Sequence, residues 1–140
     1  DEDWVSKHSI AAYESFKPYG NVAFMEIKAT LLNYKPDIVQ SDLLVFAEKS
    51  EIHTFGWPIG VTLGNRDEFR PKPRTDGIVA IVNIEDRSSY DYWTIRKNGD
   101  YYMLKSLFEN MRKPGHIFFN TRVVRISEVF LYLSRLYSNM

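Results

Sequence analysis

The chain has 140 residues, of which 44% are hydrophobic and 26% charged, values of a folded globular domain rather than a disordered segment. Its 18 basic and 18 acidic side chains cancel to a formal net charge of zero, so no whole-molecule field draws it to nucleic acid or membrane and any such binding must come from local clustering. Cysteine is absent, which excludes disulfides, thiolate metal sites and thiol catalysis.

The length suits a single domain, 1–140, with a real core. No apolar run reaches membrane-spanning length, and the acidic start DEDWVSKH is unlike a signal peptide, so a cytoplasmic protein without a membrane partner is expected. The missing initiator Met reads as a domain excised from a longer multidomain protein, with a covalently attached partner domain.

In chain order, residues 3–17 place Trp4, His8, Ala11, Ala12 and Phe16 on one helical face, ended by Pro18 and Gly20. Val22 to Asn33 reads as a strand. Pro36 suits the first turn of a helix running to about Ser50 and burying Val39, Leu43, Phe46 and Ala47. In Trp57–Leu63, apolar residues at every second position have the period of a half-buried strand. The following loop carries Arg66, Arg70, Lys72 and Arg74 and is stiffened by Pro71 and Pro73.

The nearly continuous apolar run Ile78–Ile84 predicts a central strand covered on both faces, with Ile81 inside. Tyr90–Arg96 and Asp100–Tyr102 flank Asn98-Gly99, a hairpin signal that predicts a tight turn with positive φ. A helix is expected over Met103–Met111, with Leu104, Leu107, Phe108 and Met111 at core spacing, broken by Pro114-Gly115. His116–Ile126 then reads as a strand. Ser127 would cap a final helix with Val129, Phe130, Leu133, Leu136 and Tyr137 on one stripe. Strands grouped in the middle indicate an α+β fold: a mixed, mainly antiparallel sheet of about five to six strands with three to four packing helices.

No complete catalytic constellation is present. Glu26-Ile27-Lys28 would put both charges on one strand face, as metal-dependent nucleases do, but the segment before it offers no strand-borne Asp to complete the site, and a surface ion pair explains the spacing. His8, His53 and His116 are scattered, without a carboxylate at ligand spacing. Ser41 and Ser127 are accounted for as helix caps. Gly56, Gly60 and Gly64 are followed by no helix that could receive a pyrophosphate; they suit close approach at Trp57 and a turn at Gly64-Asn65, and no cofactor is expected.

Two basic groups remain: Arg66, Arg70, Lys72 and Arg74, and the acid-free series Arg112, Lys113, His116, Arg122 and Arg125. Taken singly, each arginine is explained by pairing with Asp67, Glu68, Asp76, Asp91 or Glu109. As a set, Arg66, Arg70, Arg74 and Arg122 beside Trp57 and Tyr92 make a candidate site for a nucleic acid or nucleotide, with Arg70, Arg74 and Arg122 expected to converge. The nine Phe, nine Tyr and three Trp read as an aromatic core with tyrosine hydroxyls reaching water, or as a stacking face.

The segments HTFGWPIGV (53–61), YDYWTIRKNGDYYMLKSLFE (90–109) and FFNTRVVRISEVFLYLSRLY (118–137), in that order and with Arg-Pro-x-Pro-x-x-Asp-Gly-Ile between the first two, carry a resemblance over about Val22 to Tyr137. The chain resembles the C-terminal domain of bacterial proteins described as DNA-binding that begin with a Schlafen-type divergent AlbA domain. The resemblance implies an accessory domain, non-catalytic by itself, of a DNA-associated or defence-related protein, and supplies no catalytic residues. The leading expectation is therefore a binding or sensing module with an arginine-rich site for a phosphate-bearing ligand. The alternatives are a metal-dependent nuclease using Glu26 and Lys28, or an oligomerisation domain forming a homo-oligomer through exposed aromatics.

Overall fold

The computed structural model describes residues 2–19, 23–54, 56–84 and 89–140, without the Met111 side chain. In chain order its elements are helix α1 (Glu2–Phe16) with a 3-10 turn at Lys17–Tyr19, strand β1 (Phe24–Ala29), helix α2 (Gln40–Ser50), strands β2 (Lys72–Arg74), β3 (Gly77–Ile84), β4 (Ser89–Arg96) and β5 (Tyr101–Ser106), and helices α3 (Phe108–Arg112) and α4 (Phe119–Asn139). Among the described residues the five strands form one antiparallel sheet in the order β1-β5-β4-β3-β2, so the α+β expectation holds and the sheet is wholly antiparallel.

Helix α1 buries Trp4, His8, Ala12 and Phe16, spaced four apart on one face, whereas Ala11 is exposed. That face packs against Val79, Tyr90, Tyr92, Tyr102 and Leu104. On the other side of the sheet, Ile78, Ala80, Trp93, Ile95, Tyr101 and Met103 form the main core with α2 and α4. Successive residues of β4 and β5 thus supply two cores at once, which is why both strands read as unbroken apolar and aromatic runs.

Several expected elements differ. The strand around 24 is confined to Phe24–Ala29, and Val22 and Gly20 lie outside the described residues. Helix α2 starts at Gln40, after an extended Val39 that is 64% exposed; Pro36 sits buried in the lead-in instead of the first turn, where Ile38 N–H bonds to the Lys97 carbonyl at 3.0 Å. Leu43 and Ala47 are buried and Phe46 partly so. Ser41 makes no cap, because the capping position is Val39.

Trp57–Leu63 forms no strand. A single bridge, Ile52 to Ile59, is its only ladder among the described residues, and Gly60 turns the chain at φ 69° with no room for a Cβ beneath the Tyr132 ring. Pro58 removes a donor and Gly60 breaks the pleat, so Ile59 and Val61 are buried without strand pairing, and Trp57 and Leu63 are only partly buried. The turn at Gly64-Asn65 is present.

Met103 and Leu104 belong to β5, paired with Ile27 and Glu26, which leaves α3 to begin only at Phe108. The expected strand His116–Ile126 is instead largely the start of α4, and Ser127 lies inside it, bonded to the Val123 carbonyl at 2.8 Å. Phe130, placed on the buried stripe from sequence, is 70% exposed; the inward residues are Arg125, the adjacent Glu128 and Val129, Tyr132 and Leu136, which recur every three or four residues.

Gly99 makes the expected turn, with φ 87° in a three-residue loop closed by Gly99 N–H to Arg96 O (2.9 Å) and Arg96 N–H to Asp100 O (2.8 Å). Burial raises the Asp100 carboxyl, but hydrogen bonds from Thr30, Asn98 and Lys35 outweigh it and hold the group below its ordinary value.

Strand β3 is present, but it is not covered throughout. Strand β2 pairs with Gly77–Val79, and α1 lies over β4 and β5, so Ile81 is 40% exposed. Ile95, with no exposed surface, should lose about 2–5 kcal/mol on change to Ala. Ile81→Ala should lose about half of that or less, because a large share of its surface is already in water. Equal losses in urea unfolding would contradict the layering. A second expectation concerns acid. A carboxyl lowered in the folded state adds stability that is complete above its ordinary value and is lost as pH falls through the folded value. Asp100→Asn should therefore be less stable than the parent at neutral pH and lose less stability below about pH 4.

Candidate functional site

Facing α4, the sheet carries a buried cluster of charges. Asp91 on β4 and Lys105 on β5 are cross-strand partners, with Nζ and Oδ1 2.6 Å apart. The second Asp91 oxygen accepts from the Trp57 indole at 2.7 Å. Helix α4 contributes Arg125, which donates to Glu128 (2.7 Å) and to the Trp57 carbonyl (2.6 Å), while Glu128 also accepts from Thr54 (2.7 Å). Arg122 grips Glu109 of α3 through both oxygens, Nη2 lying 2.8 Å from Oε2. Three acids thus balance three bases, each at most about one-sixth exposed in its side chain. Burial lowers Lys105 against the pull of Asp91, and lowers Arg125 against Glu128 and Asp91. With its members paired to one another, the cluster is a clamp rather than a binding site.

The other side of the sheet has an open cleft of about 340 Å³ between α1 and the β2–β3 turn, with Lys7, Arg74, Thr75 and Asp76 at its rim. His8, Val79, Ile81 and Tyr92 form its floor. His8 Nδ1 lies 2.7 Å from the Tyr92 hydroxyl, and its ring packs 4.7 Å from that of Trp4. Burial holds the His8 imidazole below its ordinary value despite Asp76, and Lys7, Arg74 and Arg96 add to the effect. Tyr92 is pushed up to about 12 by burial, with Arg74 pulling the other way. At neutral pH both floor groups are therefore uncharged, and the cleft's charge comes from its rim. Asp76 is engaged by Arg96 at 3.2 Å. The Arg74 carbonyl accepts from Gln40, but among the described residues its guanidinium makes no hydrogen bond or ion pair.

The six residues expected to share one ligand are divided. Arg74 and Tyr92 meet in the cleft. Trp57 and Arg122 belong to the charge clamp behind the sheet, so Arg70, Arg74 and Arg122 do not converge. Arg70 is turned onto its own loop, bonded to the Gly64 carbonyl (2.7 Å) and near Asp67 (3.4 Å). Arg66 lies over the Phe69 ring. Pairing of Arg70 with Asp67 and of Arg122 with Glu109 matches the internal-pairing account. Lys7 and His8 also line the cleft, which the sequence does not signal: a histidine in an apolar helical stripe reads as core until its partner across the sheet is known, and a lone helix lysine reads as solvated surface.

Glu26 and Lys28 do share a face of β1, 3.8 Å apart. Glu26 also accepts from Ser9 (2.7 Å) and Tyr102 (2.8 Å); burial raises its carboxyl, but these bonds outweigh it and hold the group below its ordinary value. Among the described residues no group of three or more His, Asp or Glu is placed to hold a metal. Among them, too, no helix is long and apolar enough to cross a membrane.

The chain matches no protein-family model, no curated protein and no solved structure.

The clamp makes its own prediction. Asp91→Ala strands the Lys105 ammonium and the Trp57 indole, and should cost about 3–5 kcal/mol in urea unfolding, as breaking a buried pair does. Adding Lys105→Met should recover much of that loss, since the uncompensated charge is gone. A double variant no more stable than Asp91→Ala would show that the two groups do not act as a pair.

Proposed function

We propose that this domain is a non-catalytic binding or sensing module whose cleft between α1 and the β2–β3 turn holds a phosphate-bearing ligand. The observation that carries the reading is the Arg74 guanidinium: among the described residues it has no partner, and it shares an open rim with Lys7. A planar guanidinium matches two phosphate oxygens at once, and an ammonium supplies a mobile point charge beside it. Val79 and Ile81 offer an apolar wall for the rest of the ligand. At about 340 Å³ the cleft is at the small end for ligand sites, and suits one nucleotide unit, free or within a single strand, rather than a duplex.

The resemblance to the C-terminal domain of Schlafen-type AlbA proteins supports the same ligand class. It adds a DNA-associated or defence-related setting beside an attached partner domain. In this reading the β2–β3 turn, rather than the wider arginine loop, is the recognition element.

The test is titration with free nucleotides, a single-stranded oligonucleotide and a duplex at two salt concentrations. Affinity should fall as salt rises, because each phosphate contact releases counterions. Lys7→Ala with Arg74→Ala should weaken binding by about tenfold or more, the size of a lost charged contact. Arg70→Ala, remote in its own loop, should leave binding unchanged. Absence of binding at low salt, or equal affinity in the double variant, would overturn the reading.

A further inference from the structure

Helix α4 is amphipathic in an unusual sense. Its charged residues Arg122, Arg125 and Glu128 turn inward to the clamp, and the side facing water is apolar. Phe119 is 79% exposed, Val123 48%, Ile126 46% and Phe130 70%. These four recur at intervals of four, three and four residues, the spacing of a helix–helix seam. The positions beside them on the outward side are Asn120, Ser127 and Ser134, small and uncharged. From Phe119 to Ser134 the outward side of the helix therefore presents no charge over roughly 24 Å.

We propose that this face is the seam of a homodimer, with α4 of one copy packed on α4 of a second. Three observations select a second copy as the occupant. A charge-free face is complementary to itself, because no like charges meet when two copies approach. A membrane surface would call for lysines and arginines along the edges of the apolar stripe, and between Phe119 and Ser134 both arginines, Arg122 and Arg125, face the clamp, the exposed Arg112, Lys113 and Arg135 lying beyond its two ends. The area is also sufficient. With Ile117 and Leu131 at the margins, the exposed parts of the apolar side chains would cover roughly 600–800 Å² per copy, close to one partner's share of a standard stable interface. The seam lies on the opposite side of the sheet from the Arg74 cleft, so dimerisation leaves both clefts open.

Sedimentation equilibrium of the whole chain from about 1 to 100 μM should show a monomer–dimer equilibrium. Phe119→Asp with Phe130→Asp should weaken it by roughly 30-fold or more, as loss of central interface aromatics does. Both side chains are mostly in water already, so the variant should keep the parent's circular dichroism and monomer fold. The chain has no cysteine, which allows a direct test of proximity. Ser127 stands near the midpoint of the seam and meets its own counterpart whether the helices run parallel or antiparallel. Ser127→Cys should form a disulfide-linked dimer on mild oxidation, whereas Ser6→Cys on α1 should not. A monomer at every concentration, with or without binding to anionic phosphatidylserine vesicles, overturns the proposal. So does a dimer that the paired Phe changes leave intact, or one that crosslinks as readily through Ser6→Cys. None of these outcomes bears on binding at the Arg74 cleft, so the two readings fail separately.

Discussion

Arg125 donates to Glu128 one turn further along α4 and to the carbonyl of Trp57, whose indole in turn donates to Asp91 on the sheet. That chain of contacts ties the last helix, the segment around Gly60 and the central strands into one unit. Buried ions are stable only when each finds its partner, so the set tolerates few alternative packings. Its consequence reaches past the clamp. With Arg122, Arg125 and Glu128 held inward, the rotation of α4 is set, and Phe119, Val123, Ile126 and Phe130 have no direction left but outward.

The aromatic residues follow the same logic of two faces. Tyr90, Tyr92, Tyr101 and Tyr102 are buried, and they form layers rather than an open stacking platform. Their hydroxyls find internal partners: Tyr90 bonds to the Ala12 carbonyl at 3.2 Å, Tyr92 meets His8 at 2.7 Å, and Tyr102 donates to Glu26 at 2.8 Å. Helix α1 is thereby attached by polar contacts as well as by Trp4 and Phe16. Burial raises these phenols, the Glu26 carboxylate adds to it at Tyr102 and Arg74 opposes it at Tyr92, so that Tyr90 and Tyr102 are shifted further than Tyr92. They therefore stay neutral donors through the physiological range.

The two outward features lie on opposite sides of the sheet and differ in chemistry. The cleft is small and polar at its rim, with a cation left unpaired among the described residues. The α4 face is long, apolar and uncharged. On the two proposals made above, the domain would join components: a small anionic ligand on one side, a second copy on the other. Such a role requires no catalytic groups of its own, and the short reach of α1, which leaves part of β3 uncovered, is what opens the cleft.

By itself the sequence determined the features that rest on local periodicity. The four-residue spacing of Trp4, His8, Ala12 and Phe16 specifies α1, Leu43 and Ala47 mark α2, and Asn98-Gly99 between alternating apolar and aromatic residues specifies the β4–β5 hairpin. Together these made the α+β class legible. Tertiary structure decided the segments whose local signals were ambiguous. Val123, Val124 and Ile126 favour a strand by propensity, but inward-facing ionic contacts three residues apart require a helix. Trp57, Ile59, Val61 and Leu63 alternate like a strand, yet Pro58 and the positive φ of Gly60 deny them a ladder. The candidate site lay beyond local reading for the same reason. Arg74 and Arg122 look alike along the chain, and only packing reveals that Glu109 holds one while the other faces open space, because ion pairing is set by distance in space and not in sequence.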